Sequence, residues 1–238
     1  MTRWGSRAFS PSKLSPTHVE GSTSVSFLRK VDGFAEAKKE GDIGAAIQVV
    51  NSVLKKSVID NIKTKTSKEV IVLPVLDREG YSNNIIPLAY AGLISNELNG
   101  TLVNKLTKFS QFSNTDAKML ERLSNDIEFV GNVDLSAKDV VIVDDTWTIG
   151  GTVMALIEKV ISLGGNIVSV TTLSTGRYSK RIHVDEDQLI KLSSMLDLTL
   201  NELKLTYAKA ISQATGSELH ATILSGKNAK RILENANK

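Results

Sequence analysis

Apolar positions along this chain fall into short runs and helical stripes that alternate. From Asp42 onward, Ile43, Ala46, Ile47, Val50, Val53 and Leu54 recur at helical spacing. That predicts a helix capped by the Asp42 side chain. The stripe continues through Val58 and Ile62, with Lys55 and Lys56 facing water, so one long helix is expected before a polar break at 63–68. Residues 70–75 are continuously apolar, as in a strand buried on both faces of a parallel sheet. A Gly/Asn/Asp-rich loop at 77–84 leads into a predicted helix over 85–98, with Ala89, Ala91 and Gly92 for close packing and Gly100 as a left-handed cap. A second strand is expected at 101–103 and a short helix at 114–123. A third strand follows at 140–143. A helix over 152–163 is closed by Gly164-Gly165, and a fourth strand covers 167–173.

Strand and helix patterns that alternate in this way argue for βαβ units and a parallel sheet, an α/β core over residues 66–182. Residues 1–65 read as an N-terminal arm and helix. The first 25, with Pro11, Pro16, two glycines and many Ser/Thr, are expected to be loop or a loosely docked arm. Residues 183–238 read as a C-terminal helical extension. There Thr199 and Glu202 form a capping box before Leu203, Tyr207, Ala210 and Ile211 on one helix face.

Composition narrows the function classes. Aromatic residues make up only 5%, so the core must be built from Val, Ile, Leu and Ala. The chain has no cysteine, which excludes disulfides and thiolate metal sites and suits a reducing compartment; a cytoplasmic location is the expectation. No stretch approaches the roughly 20 apolar residues that cross a bilayer. The basic, Ser-rich start lacks the apolar centre of an export signal. Residues 1–65 carry 11 Lys/Arg against 6 Asp/Glu, whereas residues 66–182 carry 11 against 13. A basic N-terminal third is either a solvated surface or a contact for nucleic acid.

The chemistry concentrates in residues 140–152. Four β-branched residues end in Asp144 and Asp145, and then Thr148, Gly150, Gly151 and Thr152 run into a helix. Acids at the carboxyl end of a parallel strand lie where open α/β sheets bind ligands. Glycines let the backbone approach a phosphate closely, and a helix N-terminus favours an anion. A ligand with both a diol and a phosphate fits, with the ribose hydroxyls on Asp144 and Asp145 and the 5′-phosphate in the loop of Thr148, Ile149, Gly150, Gly151 and Thr152.

This segment resembles the thirteen-residue phosphoribosyl pyrophosphate motif of the type I phosphoribosyltransferases. It departs at Thr146 and Trp147, where the family is mostly aliphatic, and at Ile149, which replaces a Ser or Thr. The resemblance implies that the loop after the first core strand, Leu76, Asp77 and Arg78, receives the pyrophosphate, aided by the basic residues Lys105 and Lys108 after the second strand. Pro74, Arg78, Gly80, Tyr81 and Asn83 or Asn84, then Phe109, Gln111, Glu121, Arg122, Asn125 and Phe129, loosely resemble the ComF group of the same superfamily. The resemblance covers residues 66–182.

By that resemblance the reaction is displacement of pyrophosphate from ribose C1 by a nitrogen acceptor, with Mg²⁺ held through substrate and water rather than directly by the protein. Thr148 stands where a hypoxanthine-type enzyme has a carboxylate, which argues against that route to 6-oxopurines. His18, His183 and His220 are scattered and read as surface or packing residues. The acceptor is not legible, and a homo-oligomer is expected. The alternative is a non-catalytic or nucleic-acid-associated accessory protein that binds phosphoribosyl pyrophosphate or a nucleotide. A faint helix-turn-helix flavour at 196–203 lacks a basic recognition helix.

Overall fold

The computed structural model describes residues 19–77, 83–110, 127–147 and 151–175. Five parallel strands form its centre: β1 (Val19–Ser24), β2 (Val70–Pro74), β3 (Thr101–Leu102), β6 (Asp139–Trp147) and β7 (Asn166–Thr175), in the spatial order β1-β7-β6-β2-β3. The helices are α1 (Val25–Leu28), α2 (Ile43–Val53), α3 (Lys56–Lys65), α4 (Ile86–Leu98) and α5 (Gly151–Ser162), with a π-helical turn at Glu36–Glu40. A separate antiparallel pair joins β4 (Thr107–Ser110) to β5 (Ile127–Val130). The α/β class and the parallel sheet are as the patterning predicts.

Alternation along the strands sends successive side chains to opposite sheet faces, and each face has its own core. Val70, Val72, Val141, Val143 and Leu173 meet α2, α3 and α4 on one side through Val49, Val50, Ile62, Tyr90 and Ile94. Ile71, Leu73, Val140, Ile142 and Val170 meet α5 and the β4–β5 hairpin on the other, through Leu156, Val160, Leu106 and Phe129. Within the first core the Tyr90 hydroxyl and Thr171 Oγ1 lie 2.6 Å apart in a fully buried hydrogen bond. Tyr90→Phe should cost about 1 kcal/mol in urea denaturation, with little change in the slope of the transition.

Several local expectations change. The chain at 19–24 is not a loose arm: β1 pairs in parallel with β7, from Val19 opposite Val170 to Ser24 opposite Thr175. The sheet and its first core therefore reach into the N-terminal 65 residues. The single helix expected from 42 to 62 is two. Leu54 (ψ 124) and Lys55 (ψ 136) are extended, and the bend lets Val53 on one side and Val58, Ile59 and Ile62 on the other enter the same core. The cap of α2 is as predicted, with Asp42 Oδ1 accepting from Ala45 N at 2.9 Å. At the end of α4 the left-handed residue is Asn99 (φ 49), not Gly100. Gly100 is small for another reason: a Cβ there would lie 2.9 Å from the Val70 carbonyl oxygen. The hairpin β4–β5 was not anticipated. The helix expected at 114–123 and the extension at 183–238 lie outside the described residues.

The carboxyl ends of β2, β6 and β7 form one edge, and the opposite edge is tied by Asp139. This buried carboxylate accepts from Ser67 N (2.7 Å), Lys68 N (3.0 Å) and Asn166 Nδ2 (2.7 Å), which draws together the starts of β2, β6 and β7.

Candidate functional site

The strand carrying the acids is longer than the apolar run that announces it. β6 continues through Asp144, Asp145, Thr146 and Trp147, and its partners on β7 are Thr172 for Asp144, Ser174 for Thr146 and Thr175 for Trp147. The two acids are therefore consecutive strand residues and not the start of a loop. Pleating sends them toward opposite faces of the sheet. Both are buried, at 9% and 5% exposure, which matters because a carboxylate out of water needs partners.

Asp145 has them. Its Oδ2 is ion-paired with Lys38 Nζ and accepts from Asn84 Nδ2 at 3.2 Å. Its own carbonyl accepts from Ser174 Oγ at 3.3 Å. Lys38 comes from the π-helical turn, an element that often marks functional positions. That turn is stapled to the start of α4: Asn83 Nδ2 donates to the Lys39 carbonyl (2.9 Å) and Ile85 N to the Ala37 carbonyl (3.3 Å). Gly41 closes the turn with φ 76, and a Cβ there would meet the Asn83 carbonyl oxygen at 3.3 Å.

Asp144 is placed differently. Its Oδ1 accepts the Asp145 backbone N–H at 2.8 Å. Burial, and then the neighbouring Asp145 charge, push its carboxyl well above the ordinary range; the Asp145 N–H and the charges of Lys38 and Lys108 oppose this. Asp144 therefore keeps its proton to higher pH than a solvated carboxyl. In that form it both donates and accepts, which suits a hydroxyl partner.

Beside it lies the loop after β2. Leu76 accepts from Lys108 N at 2.7 Å, Asp77 forms a β-bridge with Lys108, and the Lys108 ammonium is ion-paired with the Asp77 carboxylate. Leu76, Asp77 and Lys108 thus meet, and the Lys108 charge reaches Asp144. Lys105 does not join them. It is exposed, makes no ion pair among the described residues, and its carbonyl packs against Gly131 instead. Of the 5′-phosphate loop, Gly151 and Thr152 open α5, while Thr148, Ile149, Gly150 and the pyrophosphate candidate Arg78 lie outside the described residues.

The site gathers two lysine–carboxylate pairs, Lys38 with Asp145 and Lys108 with Asp77, around Asp144, whose carboxyl feels the charge of both lysines. No group of three metal-ligating side chains occurs among the described residues. Two of the three acids, Asp145 and Asp77, are each paired with a lysine. No helix among the described residues is long and apolar enough to cross a membrane.

The motif pointed to Asp144 and Asp145, and the family resemblance to Asp77 and Lys108. Both missed Lys38 and the role of Asn84. Nothing in the Lys38-Lys39 pair distinguishes it from a solvated surface. Asn84 sits in the Asn-rich loop ahead of α4, and that richness was the available signal.

No family model matches the chain. Protein TraN of Escherichia coli is 26% identical over 140 residues, covering 58% of this chain and 31% of TraN. An uncharacterized protein of Haemophilus influenzae is 30% identical over 122 residues, covering 51% of this chain and 27% of that protein. The chain spans less than a third of the length of either curated relative. Among solved structures, a purine phosphoribosyltransferase from Pyrococcus horikoshii Ot3 is similar at 19% identity and TM-score 0.35, covering 66% of this chain and 79% of that one. A hypoxanthine phosphoribosyltransferase from Staphylococcus aureus is similar at 15% identity and TM-score 0.34, covering 57% and 64%. Likenesses this distant do not assign a ligand to this chain.

Proposed function

We propose that this protein binds phosphoribosyl pyrophosphate at the carboxyl edge of its sheet. The observation that carries the reading is the placement of Asp144 and Asp145. They lie buried near the carboxyl end of a central parallel strand that runs to Trp147, ahead of a helix that opens with Gly151-Thr152. Ribose hydroxyls would meet the two acids, and the 5′-phosphate the loop of residues 148–152, where backbone N–H groups and the helix dipole favour an anion. The diphosphate would lie toward Leu76, Asp77, Arg78 and Lys108. Mg²⁺ belongs to this picture only as a companion of the diphosphate, held by ligand and water oxygens.

In the transferase form of the reading, a nitrogen acceptor attacks ribose C1 and pyrophosphate leaves. The chain contributes position and charge: it holds the ribose by its hydroxyls and faces the leaving group with Lys108. A second reading, binding without turnover, is favoured by the pairing of both site lysines with the chain's own carboxylates. That pairing leaves less positive charge for a departing diphosphate.

Calorimetric titration of phosphoribosyl pyrophosphate with Mg²⁺ tests the shared claim, and saturable one-to-one binding is the expected result. Absence of binding would end both forms. A screen of nucleobases and other nitrogen acceptors for pyrophosphate release then separates them, since release with any acceptor supports the transferase.

A further inference from the structure

We infer that Lys38 is a ribose-recognition residue, working with Asp145 as a donor–acceptor pair for one sugar hydroxyl. The inference rests on the binding reading above and adds to it a residue from outside the phosphoribosyl motif, contributed by the N-terminal segment.

Three observations support it. First, the two donors on Asp145 converge on one oxygen, Oδ2, which takes both Lys38 Nζ and Asn84 Nδ2. Asp145 Oδ1 takes no hydrogen bond from the described residues, so it can accept from a ligand. Second, an ammonium has three N–H donors, and Lys38 stays part-exposed (28%) beside a carboxylate that is only 7% exposed. With one donor on Oδ2, the others are available to a ligand at the exposed part of the ammonium. A hydroxyl needs an acceptor for its proton and a donor for its lone pairs, and an adjacent carboxylate and ammonium supply both. Third, Lys38 is held by built structure. Its turn is tied to Asn83 and Ile85, and its ammonium lies 5.6 Å from the centre of the Phe34 ring. A merely solvated lysine would not have both its turn and its ammonium held by other parts of the fold.

The pair also explains how a buried Asp145 can serve a neutral hydroxyl. Lys38 compensates its charge within the chain, so the sugar does not have to bring a cation to that face of the sheet. The diphosphate, with its Mg²⁺, would be handled on the other face, near Lys108 and Asp77.

The test uses the full chain and two probes, ribose 5-phosphate and inorganic phosphate, titrated by calorimetry against the wild type and Lys38→Met. Ribose 5-phosphate affinity should fall about tenfold or more, the loss of one hydrogen bond to a charged group. Inorganic phosphate affinity should change less than about twofold. A parallel fall for both probes would make Lys38 an anion holder and overturn the inference. Unchanged ribose 5-phosphate affinity would overturn it as well. If the wild type binds neither probe, the binding reading itself fails, and this inference falls with it. Should Lys38→Met not fold by circular dichroism, Lys38→Ala, which also removes both donor and charge, is judged by the same outcomes.

Discussion

Asp139→Ala should destabilise the protein by about 4 kcal/mol at pH 7, measured by urea denaturation. The carboxylate is fully buried and accepts from two backbone N–H groups and one side-chain amide. Alanine would leave Ser67 N, Lys68 N and Asn166 Nδ2 without their acceptor. Each stranded buried donor costs about 1–3 kcal/mol, reduced where water can enter. Asp139→Asn keeps one acceptor oxygen but turns an N–H toward other donors, so about half that loss is expected. Burial alone would raise the Asp139 carboxyl. The donors of Ser67, Asn166 and Lys68, with the Lys68 charge, outweigh burial and hold it below the ordinary range. A depressed carboxyl stabilises above its unfolded pKa, and that stabilisation is lost as pH falls through the folded value. The wild type should therefore lose part of its margin over Asp139→Ala on acidification below about pH 4. A loss under about 1 kcal/mol at pH 7, or a margin that does not move with pH, would show that the three donors find other partners.

The second large effect concerns the ligand. Asp144→Asn combined with Asp145→Asn should weaken phosphoribosyl pyrophosphate binding by about 2–4 kcal/mol, since a hydrogen bond to the charged Asp145 is worth about 1.5–3 kcal/mol and one to the protonated Asp144 about 0.5–1.5 kcal/mol. Stability should move the other way for the first of these substitutions. Asp144 is raised by burial and by Asp145, so its ionisation opposes folding as pH rises above the unfolded value. Asparagine keeps an acceptor for the Asp145 N–H and cannot ionise, so it escapes the cost of keeping this carboxyl protonated or charged in the buried site. Asp144→Asn alone should thus bind more weakly yet melt higher than the wild type at pH 7, a combination that a simple folding defect cannot produce. Unchanged affinity in the double variant would place the ligand elsewhere.

The inner strands and the edge that carries the site were legible because their signals are local. The runs at 70–74 and 140–143 are apolar on every residue, as strands covered on both faces must be. The extension of β6 through Asp144 and Asp145 was not legible, because acids have low strand preference and their pairing comes from the Thr- and Ser-rich end of β7. β1, Val-Glu-Gly-Ser-Thr-Ser, has no apolar alternation and becomes a strand only because β7 offers an edge. The alternation in β5 was a usable signal: Ile127 and Phe129 are buried while Glu128 and Val130 are exposed. Lys38 could not have been found from spacing, since its partner lies 107 residues away and the two meet only in the folded chain.

The pairing of β1 with β7 bears on how the molecule assembles. Val19 leaves the ribosome long before its partner Val170 exists. The central strands and α4 can register while that segment waits. Contacts between residues so far apart in the chain are slow to form, although the entropic penalty of the long loop rises only logarithmically. Assembly should therefore run outward from the middle of the sheet, and the earliest-made strand should be the last to take its place.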